Sequence, residues 1–206
     1  CSLTGLELLD AHNDSQNGAG VRVNQARGIV VHDCVIHDCD MGLMSNGDAA
    51  EETGEVMLWN CQLHSNGNLS DPGYNHNIYA GGYHLVMRGC EVYGSLTGHN
   101  VKSRAHINEI SYCYIHDSSN REFDLVDEAG NTDLPGSDTL LLGNVIVKAD
   151  PIDGNKAVIH YGQDGGGDHD GALYLLYNTI VTPYLSPVVD LSAPGASLVA
   201  FNDIVW

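Results

Sequence analysis

The sequence predicts an all-β protein, a parallel β-helix of about eight coils. Three observations lead there: a short apolar frame recurs along the whole chain, each copy alternates like a strand, and stripes of helical period are absent. The frame reads LTGLELL (3–9), VHDCVIH (31–37), LWNCQLH (58–64), MRGCEVY (87–93), SYCYIH (111–116), LLGNVIV (141–147), LYNTIV (176–181) and AFNDIVW (200–206). Its pivot falls on Leu6, Cys34, Cys61, Cys90, Cys113, Asn144, Asn178 and Asn202, at spacings of 28, 27, 29, 23, 31, 34 and 24. A constant short core with variable spacing describes solenoid coils joined by unequal loops.

A second strand follows in most coils: GVRV (20–23), GLMS (42–45), NIYA (77–80), NVKS (100–103), FDLV (123–126), VIHY (158–161) and VVDL (188–191). Stacked at about 4.8 Å, eight coils make a rod on the order of 40 Å long, with an interior narrow enough to favour aliphatic side chains over Phe and Trp. The chain reads as one domain over 1–206 that looks uncapped at both ends, as a piece of a longer protein would. An exposed strand edge at either end would allow copies to stack head to tail.

Composition narrows the function. With 27 acidic and 8 basic residues and a formal charge of −19, the chain lacks the Lys and Arg of a nucleic-acid-binding surface. No apolar run reaches the ~18–20 residues of a membrane-spanning helix. No signal-peptide pattern is present. Of six cysteines, four occupy the pivot (Cys34, Cys61, Cys90, Cys113), where thiols pack as small hydrophobes in a ladder; no C-x2-C zinc pair occurs.

The second strand carries a sharper duplication. NHNIYAGG (75–82) and GHNVKSRA (98–105) align His76 with His99, Asn77 with Asn100 and Tyr79 with Lys102, one coil apart. With Ile78 and Val101 inward, the two-residue strand period puts Tyr79 and Lys102 on the outer face, and Arg104 beyond Lys102 on the same face. The chain has three Lys and five Arg, and one of each falls within three residues here. Neighbouring coils place Arg22, Asp124 and His160 at corresponding positions, as substrate-binding candidates.

An elongated outer face with a cation pair suits an acidic polysaccharide. β-Elimination from a uronate needs a cation at the carboxylate, a base for the proton α to it and an acid for the departing oxygen. Like-charge repulsion from Arg104 would favour a neutral Lys102, the form that takes a proton. Tyr79, His76 or His99 would supply the acid. Against this stands a structural reading: His76/His99 and Asn77/Asn100 as ladder residues, and Lys102 and Arg104 paired with local carboxylates.

The order GAGVRV, VHDCVIHDC, NHNIYAGG, GHNVKSRA, EFDL, VIHYGQDGG, LYNTIV resembles a bacterial family of right-handed parallel β-helix repeat proteins within the pectate-lyase-like superfamily, over roughly residues 18–182. The resemblance implies a right-handed helix. It also carries over, from alginate-lyase-like members, a Lys base and an Arg acid onto Lys102 and Arg104. A mannuronan-epimerase-type D-P-H-[DE] motif is missing, since Asp71-Pro72 is followed by Gly73 and Tyr74.

Two acidic turns, QDGGGDHDG (163–171) with Asp164, Asp168 and Asp170, and VDEAGNTD (126–133), offer oxygen ligands of the kind Ca²⁺ takes, without an EF-hand pattern. The expectation is therefore an extracellular, periplasmic or cell-surface protein acting on acidic polysaccharide. The alternatives are a carbohydrate-binding module and a structural solenoid that stacks into a filament.

Overall fold

Three strands, not two, make each coil. A computed structural model describes residues 1–45 and 53–206, and its strands form three parallel sheets. The first sheet stacks Ser2–Thr4, Gly28–His32, Glu55–Trp59, His84–Arg88, Ile107–Ser111, Thr139–Leu142, Ala172–Leu176 and Ser197–Phe201. The second stacks Glu7–Leu9, Val35–His37, Gln62–His64, Glu91–Tyr93, Tyr114–His116, Val145–Val147, Thr179–Val181 and Ile204–Val205. The third stacks Ala19–Val23, Met41–Ser45, Ile78–Ala80, Val101–Ser103, Phe123–Val126, Ile159–Gly162 and Val189–Leu191. This is a right-handed parallel β-helix, and no helix occurs among the described residues.

The recurring frame is itself two strands joined at a sharp corner. A single left-handed residue precedes each pivot: Gly5, Asp33, Asn60, Gly89, Tyr112, Gly143, Tyr177 and Asn202, all with φ between 51° and 64°. One such residue turns the chain from the first sheet into the second, and only the glycines adopt it without steric cost. Alternation alone hides this corner because the apolar period runs straight through it.

The same corner corrects the last pivot. Asn202 is the left-handed residue, and Thr179 pairs with Ile204, so the position equivalent to Asn178 is Asp203. Its carboxylate accepts the Asn178 backbone N–H at 2.7 Å. Below it, Asn178 Oδ1 accepts the Asn144 N–H, and Asn144 Oδ1 accepts the Cys113 N–H, both at 2.9 Å. Cys113 Sγ then takes the Cys90 N–H at 3.4 Å. All six cysteines are free thiols.

Three columns of side chains fill the interior. Val31, Leu58, Met87, Ile110, Leu141 and Leu175 come from the first sheet; Ile36, Leu63, Val92, Ile115, Ile146 and Ile180 from the second; Val21, Leu43, Ile78, Val101, Phe123 and Ile159 from the third. Burying each such side chain contributes about 1.5–3 kcal/mol. Phe123 and Tyr161 lie fully inside, so the narrow interior admits an aromatic ring in the third-sheet column, contrary to the expectation from composition. Phe201, Val205 and Trp206 of the last coil and Leu6 and Leu9 of the first are exposed. Among the described residues no helix is long and apolar enough to cross a membrane.

A second ladder runs at the corner leading into the third sheet. Asn66 Nδ2 donates to Asn77 Oδ1 and Asn77 Nδ2 to Asn100 Oδ1, each at 2.8 Å; Asn100 Nδ2 then donates to Glu122 Oε2 at 2.6 Å. Three amides thus end on a carboxylate, with Lys148 Nζ 3.7 Å from Glu122 Oε1; Glu122 and Lys148 are both buried.

Candidate functional site

Register along the third sheet fixes one outward row. Pairing sets Arg22 beside Met44, Met44 beside Tyr79, Tyr79 beside Lys102, Lys102 beside Asp124, Asp124 beside His160, and His160 beside Asp190. Tyr79, Lys102 and the substrate-binding candidates Arg22, Asp124 and His160 therefore share a row. Arg22 is the outlier, two coils from Tyr79, with Nη1 donating to the Asn17 carbonyl at 3.3 Å.

Asp124 is the hub of the row. It is buried, and its Oδ1 accepts hydrogen bonds from Arg121 Nη1 and His160 Nδ1, each at 2.9 Å. Its Oδ2 accepts Lys102 Nζ at 2.9 Å and lies 3.3 Å from His99 Nε2. Burial alone would raise this carboxyl; the His160 hydrogen bond and the charge and hydrogen bond of Lys102 hold it well below the usual carboxylate range.

Lys102 has a second carboxylate partner. Asp164 Oδ2 accepts Lys102 Nζ at 2.7 Å and Arg104 Nη2 at 2.6 Å, so one carboxylate sits between the two cations. Two carboxylates thus hold Lys102 Nζ, and one of them also faces Arg104. Asp164 itself is held low, its burial outweighed by Lys102. Its loop is pinned from below: Asp127 accepts the backbone N–H groups of Asp164, Gly165 and Gly167.

Arg104 links this anion seat to Tyr79. Its Nε–H donates to Tyr79 Oη at 3.1 Å, and its Nη1 donates to the Asp127 carbonyl. Tyr79, Lys102 and Arg104 therefore converge. Beside Tyr79, toward the Arg22 end, lies a pocket of about 330 Å³ lined by Gln16, Asn17, Asp71, Tyr74 and Asn75 among others.

His76 and His99 are stacked, 5.1 Å apart and 13° from parallel, and both are buried. Each Nδ1 accepts a backbone N–H, from His99 at 3.0 Å and from Arg121 at 3.2 Å, which puts the ring proton on Nε2. Burial drives His76 well below its ordinary value and His99 to about 4, so both are neutral near pH 7. A neutral imidazole is a poor proton donor, which counts against His76 and His99 in the acid role expected from the sequence.

On the other side of Asp124 the row continues into a chain of hydrogen bonds that sequence reading missed. Since the Asp124 carboxylate can only accept, His160 Nδ1 donates to it, and His160 Nε2 faces Ser192 Oγ at 2.7 Å. The Gln163 N–H also donates to Ser192 Oγ at 2.7 Å. His160 is buried and Ser192 exposed.

The calcium candidates do not gather. Asp164 faces Lys102 and Arg104. The Asp168 carbonyl accepts Thr132 Oγ1, and the Asp170 N–H donates to the Thr132 carbonyl. Among the described residues no group of three or more His, Cys, Asp or Glu side chains is arranged to hold a metal ion. Comparison of the chain with protein-family models, curated proteins and solved structures finds no match.

Proposed function

We propose that this β-helix acts on acidic polysaccharide as a lyase, at Tyr79, Lys102 and Arg104. The observation that carries the reading is the Asp164 carboxylate held between Lys102 and Arg104, which marks a seat of the size and charge that a uronate carboxylate requires. A substrate carboxylate taking that seat would replace one ion pair with another and stand beside Tyr79 Oη through Arg104.

β-Elimination moves one proton from the carbon α to the carboxylate onto the departing glycosidic oxygen. A single side chain that takes and then gives that proton balances the step. In this reading Tyr79 plays that part, with the Arg104 guanidinium compensating the phenolate charge and the paired cations stabilising the charge that develops on the carboxylate. The pocket beside Tyr79 offers amides, Asp71 and the exposed Tyr74 to the neighbouring sugar.

An ultraviolet scan for unsaturated uronate over a panel of polyuronates tests the reading. Product is expected from the wild type, with Lys102→Ala and Tyr79→Phe each losing at least about tenfold in kcat/KM. No product from any polyuronate, or full activity in Lys102→Ala, overturns it; binding without product would instead make the protein a carbohydrate-binding module. Asp164→Asn removes the resident carboxylate, so the half-saturating polyuronate concentration should fall several-fold; an unchanged or higher value would mean that Asp164 does not occupy the substrate's seat.

A further inference from the structure

We infer that Ser192, His160 and Asp124 form a nucleophile, base and orienting acid for acyl transfer, and that the protein is also a carboxylic esterase. The geometry is that of an activated serine: Ser192 Oγ to His160 Nε2 is 2.7 Å, and His160 Nδ1 to Asp124 Oδ1 is 2.9 Å. The three occupy a graded environment. Asp124 is 1% exposed, His160 is 6% exposed, and Ser192 lies open to solvent, as a nucleophile must.

The fold supplies this arrangement through register. Asp124 and His160 are partners on adjacent strands, which fixes the base against its acid. Ser192 follows the next strand, Val189–Leu191, and its N–H donates to the Tyr161 carbonyl at 3.0 Å. Gly162, at φ 145°, leaves the space over which Ser192 Oγ lies; a β-carbon there would collide with that oxygen. Arg121 and Lys102 hold Asp124 from its remaining sides, so the carboxylate cannot swing away from His160.

In the acylation step Ser192 Oγ bonds to the ester carbonyl carbon while its proton passes to His160 Nε2. The ester C–O bond then breaks, and the leaving alcohol oxygen takes that proton. Water attacks the acyl-serine, gives a proton to His160, and the carboxylic acid departs as Ser192 recovers its hydrogen. No oxidant or cofactor enters the balance. The Gln163 N–H, already directed at Ser192 Oγ, is the backbone donor assigned to the oxyanion that forms one carbon away. The substrate class rests on the polysaccharide reading above: with the serine exposed and its base in the same row as Tyr79 and Lys102, it is small acyl esters carried on a sugar hydroxyl.

Labelling with a fluorophosphonate, read by intact mass and peptide mapping, together with p-nitrophenyl acetate hydrolysis, tests the assignment. Wild-type protein is expected to take one label at Ser192 and to hydrolyse the ester. Ser192→Ala, an exposed change that leaves the coils intact, should abolish labelling and lower hydrolysis at least 100-fold, and His160→Ala should do the same with an unchanged circular dichroism spectrum. Absence of label, label at another residue, or equal hydrolysis by Ser192→Ala overturns it. Ser192 plays no part in the elimination at Tyr79, so polyuronate turnover reports on that chemistry separately.

Discussion

Asp124→Ala is expected to destabilise the protein by about 3–5 kcal/mol, the cost of stripping a buried ion cluster of its central acceptor. Lys102 keeps Asp164, but Arg121 and the His160 Nδ1–H lose the carboxylate that they address. Chemical denaturation followed by circular dichroism measures the effect. Asp124→Asn retains one acceptor oxygen and should cost distinctly less, and equal losses would mean that packing rather than charge is at stake. Acid should reproduce the effect. The native carboxyl titrates below its unfolded value of 3.8, so its stabilisation is complete above about pH 4 and is lost as pH falls from there toward the depressed native value.

The second large effect belongs to the amide ladder. Lys148→Met should cost about 3–5 kcal/mol, because it strips the buried Glu122 of its cation. Adding Glu122→Gln should recover most of that loss, since a glutamine amide continues the Asn66, Asn77, Asn100 series as a neutral acceptor. A double variant no more stable than Lys148→Met would show that the lysine acts through packing alone. Burial pushes Glu122 up to about 7 against the opposing pull of Lys148. Here the native state binds the proton more tightly than the unfolded chain. The contribution is therefore full below about pH 4.5 and lost as pH rises toward 7, opposite in sign to that of Asp124. Glu122→Gln should flatten this slope in denaturation midpoints taken from pH 4.5 to 7.

The stacking of coils was legible because each pivot repeats a residue type with a physical reason to repeat. Thiols and amides fill one inward corner, and alternation fills the columns. The left-handed corner was not legible: Asp33, Tyr112 and Tyr177 share no chemistry, only a φ angle. That blindness placed the final pivot on Asn202 instead of Asp203.

At the site, the duplication of NHNIYA in GHNVKS was enough to bring Tyr79, Lys102 and Asp124 into one row. The next coil is one residue shorter, 22 against 23, so the same offset passes over Glu122, the charged end of the ladder. What local pattern could not reach was the contribution of loops. Asp164 lies 62 residues from Lys102 in sequence and Ser192 lies 32 from His160, and no periodicity links either pair.

Lys102 and Arg104 are each already matched by a carboxylate, and for the polyanion proposed as ligand this sets how ionic strength should govern the encounter. Seen from afar, the molecule is an anion of charge −19 that repels such a ligand; the attraction exists only at contact, once Asp164 is displaced. At 0.1 M salt the Debye length is about 10 Å, long enough to spare the contact pairs and short enough to mask the rest of the surface. Added salt should therefore accelerate association before it weakens the bound state, the reverse of the steep, monotonic loss that proteins with basic grooves show.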